Sequence, residues 1–74
     1  MREIDKEATG QNIREFRELA ELKQKDLAEL AGMGVSTLQT LEYRGKGAAA
    51  WQSLFRLSDA LGAYPEDLIV WKDE

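Results

Sequence analysis

Four side chains in the middle of the sequence have the chemistry needed to read the base edges of DNA. The amide of Gln39 can donate one hydrogen bond to adenine and accept another, and the hydroxyls of Ser36 and Thr40 can do either. Val35 offers methyl groups that can contact a thymine methyl. Because this segment has no arginine or lysine before Arg44, we expect recognition of A·T pairs through Gln39. The same uncharged face would also suit plain surface or a protein–protein contact.

Polar and basic residues flank this segment on both sides. A cation neutralises a phosphate, and a polar residue at the start of a helix lies beside free backbone N–H groups. The two glycines around Lys46 also allow the backbone to approach a phosphate closely. The residues expected to contact phosphates are Lys23, Gln24, Tyr43, Arg44 and Lys46. An ordinary helix start at Gln24 and a merely solvated turn around Lys46 remain open as alternatives.

The elements that must position these groups are two short helices, over about residues 24–43. Apolar residues repeat at helical spacing in two runs, one around Leu27 and one at Leu38 and Leu41. Gly32 separates the runs and suits the left-handed backbone that ends a helix. Since few residues join the helices, they must cross steeply, which is the geometry of a helix-turn-helix.

The segment before this pair predicts a first helix and a lead-in. Residues 1–8 are mostly polar and indicate a flexible N-terminal lead-in. Thr9 is a suitable cap for a helix that runs to about Ala20. The expected fold is all-α, a compact five-helix single domain over residues 9–74.

The segment after the pair predicts two more helices and a contact surface. A fourth helix covers Ala49–Leu61, with Leu54 and Phe55 in the core. Pro65 opens the last helix, which ends in an apolar run that one core cannot bury completely. Some of Ile69, Val70 and Trp71 should therefore stay exposed on a lone monomer and form a patch that suggests a partner. A last helix buried entirely within one monomer is the alternative.

Composition excludes several classes of function. The chain has no cysteine and no histidine, so zinc fingers, histidine acid–base catalysis and Ser-His-Asp triads are excluded. The carboxylates fall on solvated helical faces, and we expect neither an enzyme nor a metal or cofactor site. No apolar run reaches the ~20 residues of a membrane span, and the N-terminus is too charged for a signal peptide. These features predict a cytoplasmic location.

The net charge of −4 is unusual for a chain expected to meet phosphates, but the charge is unevenly distributed. Residues 1–22 carry four basic and six acidic side chains, and residues 51–74 carry two and five. Residues 23–50 carry four basic and three acidic ones. The middle is thus slightly basic, and we expect a polarised molecule with weak non-specific affinity for DNA.

Over roughly residues 9–70 the chain resembles the Cro/C1-type, phage-repressor-like helix-turn-helix proteins. The matching residues are Gln24, Leu27, Ala28, Ala31, Gly32, Met33, Ser36, Thr37, Leu38, Leu41 and Glu42, with further matches in Ile13–Arg17 and Leu54–Gly62. The chain departs from the family pattern in the loop after the second helix. There it has one extra residue before Gly45, and Ala48–Ala50 replaces the usual proline.

The resemblance implies a lambda-repressor-like DNA-binding fold in which the second helix of the pair is the recognition helix. It implies a largely buried ion pair between Arg17 and Glu42. It also implies that Gln24 touches the DNA backbone and supports the recognition helix, and that the last helix forms a two-fold dimer contact.

The function this predicts is a sequence-specific transcriptional regulator. The simplest form is a repressor that binds a palindromic operator as a homodimer through the major groove. By analogy and size it resembles an autoregulating control protein of a phage-like or toxin–antitoxin module. The alternative is an antitoxin-type or other protein-interaction module that keeps the fold, with a toxin or another protein as its partner.

Overall fold

The computed structural model describes residues 2–72 and contains five helices and one pair of very short strands. The helices are α1 (Lys6–Leu19), α2 (Gln24–Ala31), α3 (Val35–Arg44), α4 (Trp51–Leu61) and α5 (Pro65–Leu68). The strands β1 (Glu3–Ile4) and β2 (Trp71–Lys72) pair antiparallel. The predicted helical fold is confirmed, whereas the strands were not expected.

The core lies between α1 and the other four helices. Each helix contributes at least one fully buried aliphatic side chain, and these include Ile13, Leu27, Leu38, Leu54 and Leu68. Helix α1 packs mainly on α3, and α2 packs on both α3 and α4. Packing against both α1 and α2 therefore fixes the direction of α3. Among residues 2–72, no helix combines the length and the apolar character needed to cross a membrane.

Helix α1 begins four residues earlier than the sequence indicated, since its cap is Asp5 and not Thr9. The carboxylate of Asp5 caps it by accepting the backbone N–H of Ala8 over 3.0 Å. Thr9, expected as the cap, lies inside the helix, where its hydroxyl accepts the N–H of Val70 over 3.0 Å. The expected lead-in over residues 1–8 was wrong for residues 3–8, because strand pairing and this cap order them; Met1 lies outside the described residues.

The turn between α2 and α3 follows the predicted plan. Gly32 ends α2 in the left-handed conformation, with φ 67°. The N–H of Met33 then donates to the carbonyl of Ala28 over 2.9 Å, which turns the chain back towards the core. Gly34 precedes α3 and provides no side-chain cap, so no cap side chain occupies the first backbone N–H groups of α3.

The α1–α3 seam, which we define by Gly10, Leu41 and Gly45, brings two backbones into direct contact. A Cβ at Gly10 would overlap the carbonyl oxygen of Leu41, and one at Gly45 would overlap the carbonyl of Lys6. Gly45 also ends α3 with φ 71°. Both loop glycines are predicted to let the backbone approach a phosphate. Gly45 instead is buried against α1, and of these two glycines Gly47 is the one with open space around it.

The last helix and Phe55 on α4 both differ from what the sequence predicted. Helix α5 spans only four residues, and Ile69, Val70 and Trp71 follow it in extended backbone. Ile69 is buried in the monomer core and Val70 is half-buried, because β2 folds back onto β1 and α1. Phe55, expected in the core, is 57% exposed on the outer side of α4.

Candidate nucleic-acid interface

The outward face of α3 carries the side chains expected to read bases. Val35 is 41% exposed, Ser36 and Gln39 are exposed, and Thr40 is half-buried. The hydroxyl of Thr40 donates to the carbonyl of Ser36 over 3.0 Å, so its oxygen remains available as an acceptor. Helix α3 thus presents an uncharged, polar strip while its Leu38 and Leu41 face the core.

A chain of hydrogen bonds anchors this face to the interior. The Nε of Arg17 donates to Glu42 Oε2 over 2.8 Å, and Nη2 donates to Oε1 over 3.1 Å. Gln24 Nε2 donates to the same Oε1 over 3.0 Å, and Gln39 Nε2 donates to Gln24 Oε1 over 3.4 Å. Three helices are joined in this way, and the exposed amide of Gln39 is tied at one end to a buried ion pair.

The Arg17–Glu42 pair is the most buried charged contact in the described residues. The Glu42 side chain is 1% exposed and that of Arg17 is 11% exposed. A third hydrogen bond runs from Arg17 Nη1 to the carbonyl of Leu22 over 2.8 Å. The side-chain hydrogen bond with Glu42 raises the pKa of Arg17, although burial alone would lower it. Since stability from a raised pKa is lost only as pH rises through it, this pair contributes equally at every pH near neutrality.

The cations expected at phosphates lie at the two ends of the helix pair. Lys23 immediately precedes α2, and its backbone N–H donates to Asp26 over 3.2 Å. Arg44 is the last residue of α3, and Lys46 follows in the loop; all three cations are exposed. Exposed positive charge thus lies before α2 and at the end of α3, whereas Gln24, half-buried, faces the ion pair as well as the surface.

Tyr43 extends the outward face by one more helical turn. Its side chain is 71% exposed, and it lines a shallow groove together with Gln39, Thr40 and Arg44. The guanidinium of Arg14, on α1, lies 5.8 Å from the centroid of the Tyr43 ring. The position of Arg14 beside Tyr43 was not predicted from the sequence. The signal was present, because Arg14 is one turn before Arg17 and Tyr43 adjoins the partner of Arg17.

Comparison with known proteins agrees with this geometry. The sequence profile of the Cro/C1-type HTH DNA-binding domain matches residues 12–74. The chain belongs to this family. Its expected resemblance is thereby confirmed, as is the class of fold. A search of curated protein sequences finds no match.

Two solved structures are similar to this Cro/C1-type chain. One is the restriction-modification controller protein C.AhdI from Aeromonas hydrophila, with 33% identity and a TM-score of 0.79 over 86% of this chain and 96% of that one. The other is the clp gene regulator ClgR from C. glutamicum, with 32% identity and a TM-score of 0.77 over 85% of this chain and 80% of that one. The family is one of DNA-binding transcription regulators and not a class of enzymes.

Proposed function

We propose that this Cro/C1-type protein represses transcription by binding a palindromic operator as a homodimer. The observation that carries the proposal is the outward face of α3, where exposed Gln39 is linked through Gln24 to the buried pair of Arg17 and Glu42. A side chain fixed in this way loses less freedom on binding a base than a free one would.

The amide of Gln39 still has one N–H donor and its carbonyl oxygen available for adenine. Its Nε2 uses one hydrogen on Gln24, which leaves the second hydrogen for adenine N7. Its Oε1 can accept from adenine N6, so the bidentate contact typical of glutamine remains possible. Ser36 and the acceptor oxygen of Thr40 add hydrogen bonds to neighbouring base edges, and Val35 offers a contact for a thymine methyl.

Phosphate contacts hold this face in the major groove. Lys23, Gln24 and the first backbone N–H groups of α2 meet the backbone on one side of the groove. Arg44, Lys46 and the hydroxyl of Tyr43 meet it on the other side. Because the chain is acidic overall, these few cations give weak non-specific binding, and affinity for the operator depends strongly on base contacts.

The dimer contact needs a face that the monomer leaves exposed. Of the expected set of Ile69, Val70 and Trp71, Ile69 is buried and Val70 is half-buried, and Trp71, 38% exposed, has the guanidinium of Arg2 over its ring at 4.9 Å. Helix α4 offers more: Trp51 and Phe55 are 52% and 57% exposed, with ring centroids 5.9 Å apart.

We therefore place the two-fold contact on the aromatic face of α4. A second copy of this chain is its partner, because the exposed side of α4 carries one cation and one anion, Arg56 and Asp59. Such a face does not repel its own copy, whereas it offers no positive potential to DNA. The two-fold axis would set two recognition helices one DNA turn, ~34 Å, apart. Similarity to C.AhdI supports a small controller of this kind.

A selection from a library of random duplexes tests the DNA-binding half of the proposal. The wild type should enrich a palindrome with A·T pairs in each half-site at low and at moderate salt. The variant carrying Gln39→Ala and Thr40→Ala should enrich none. Failure of the wild type to enrich any sequence would favour the protein-interaction alternative.

Sedimentation at several protein concentrations tests the dimer half. Phe55→Glu should shift the wild-type dimer to monomer, because it places a charge in the apolar contact. Trp71→Glu is the matched control, and we expect it to stay dimeric. The opposite pattern would return the interface to the C-terminal strand.

A further inference from the structure

We propose that Arg14 is a phosphate-contacting residue of the DNA interface and that the ring of Tyr43 positions it. The inference rests on the proposed function and extends the interface from the helix-turn-helix to α1. It concerns affinity for the backbone and not the choice of base.

The position of Arg14 follows from helical geometry. Tyr43 lies four residues after Gln39 and three after Thr40, so all three share one side of α3. The Arg14 guanidinium lies 5.8 Å from the Tyr43 ring centroid, within the range of a cation–π contact. A cation on α1 is therefore held at the end of the strip that reads bases, on the side where Arg44 also lies.

The charge of Arg14 is available to a ligand. Its ion pair with Glu18 has an Nε–Oε2 distance of 3.6 Å, too long for a hydrogen bond, and the two side chains are 48% and 54% exposed. An exposed pair of this kind contributes little to stability, so a ligand can replace it easily. A guanidinium has five N–H donors in a planar fork that matches phosphate oxygens, so exchange of Glu18 for a phosphate gains hydrogen bonds.

Arg17, one turn away on the same helix, provides the internal contrast. Its three described hydrogen bonds all go to interior groups, and its side chain is 11% exposed. Arg14 faces a groove lined by Gln11, Glu15 and Glu18. These carboxylates weaken the local positive potential, so removing the charge of Glu18 should strengthen DNA binding.

Salt-dependent titration of the operator and of a scrambled duplex measures the contact directly. A lost phosphate contact reduces the slope of log K against log salt by about 0.9. Because a homodimer loses one such contact in each protomer, the slope should fall by about 1.8. Between 50 and 200 mM salt the wild type should thus lose about twelvefold more affinity than Arg14→Gln. Arg14→Gln should weaken binding to both duplexes by the same factor, and Glu18→Gln should strengthen it.

Two further variants separate contact from positioning. Arg14→Lys keeps the charge and should keep most of the slope. Tyr43→Phe removes only the hydroxyl that is proposed to meet a phosphate, and Tyr43→Leu removes the ring as well. Relative to Tyr43→Phe, Tyr43→Leu should weaken binding less than Arg14→Gln does, and in the Arg14→Gln background the two Tyr43 variants should bind equally if the ring acts through Arg14. Thermal unfolding of each variant verifies that the fold is retained.

The possible results are distinguishable. Equal slopes for Arg14→Gln and wild type would overturn the proposal while leaving the proposed function intact. A loss confined to the operator would also overturn it, since it would mean base reading. A wild type that prefers no sequence would instead overturn the proposed function.

Discussion

Arg17 and Arg14 lie one turn apart on α1 and belong to two different regions of the molecule. Arg17 lies beside the α1–α3 seam, where its hydrogen bonds go to Glu42 and to the carbonyl of Leu22. Arg14 lies on the outward side, over an exposed ring and beside an exposed carboxylate. The donors of Arg17 are used in hydrogen bonds within the protein, whereas the exposed guanidinium of Arg14 can still donate to a ligand. The inner region therefore fixes the shape, and the outer region is left to bind.

The largest expected effect contrasts the two arginines. Arg17→Met leaves the carboxylate of Glu42 buried without its ion-pair partner, which should lower the free energy of unfolding by about 3–5 kcal/mol. Arg14→Met breaks only an exposed pair and should cost less than about 1 kcal/mol. Urea unfolding followed by circular dichroism measures both. If the two variants lost similar free energies of unfolding, the distinction between an inner region that fixes the shape and an outer region that binds would be contradicted.

The next effect contrasts two glycines that share a positive φ. Gly62 has open space around it, so Gly62→Ala should cost about 1–2 kcal/mol, for backbone strain alone. Gly45→Ala should cost about 1–3 kcal/mol more, because its Cβ overlaps the carbonyl of Lys6. Thermal unfolding of the two variants under the same conditions compares them. Equal losses of stability for the two variants would mean that α1 and α3 can move apart at the seam without an energetic cost.

The smallest effect concerns Gln24, which connects the regions. Gln24→Ala removes one hydrogen bond to Glu42 and one to Gln39, so unfolding should become easier by only about 1 kcal/mol. The same variant should reduce the difference in affinity between matched and mismatched duplexes at the base pair that Gln39 is proposed to read. Titration of matched and mismatched duplexes measures this, with Gln39→Ala for comparison. Unchanged discrimination would mean that Gln39 is oriented by other contacts.

The sequence predicted the elements whose signals are local. Gly32 and the leucine spacing indicated the helix-turn-helix, because a C-terminal glycine and an apolar face are both properties of a few neighbouring residues. The pair of Arg17 and Glu42 followed from the resemblance to Cro/C1-type proteins. The outward strip of Ser36 and Gln39 followed once the apolar side of α3 was known.

The features that the sequence did not predict depend on distant residues. The two-residue strands β1 and β2 are too short to show an alternating pattern, and their pairing joins opposite ends of the described chain. In the sequence, Gly10 is consistent with an ordinary helical position and Gly45 with an ordinary loop position. That both lack a side chain because α1 and α3 touch there depends on tertiary packing. Phe55 fits the apolar pattern of α4, but no other element within residues 2–72 covers that side of the helix.

The most direct test of the central claim is a titration in which protein and operator are changed together. Wild type and Gln39→Ala are each titrated against the selected operator and against operators with single A·T pairs replaced. We expect the wild type to lose about 1–3 kcal/mol of binding free energy at one position per half-site. Gln39→Ala should be indifferent at that position and keep its preferences elsewhere. If Gln39→Ala instead discriminates at every position as the wild type does, the outward face of α3 does not read DNA through this residue.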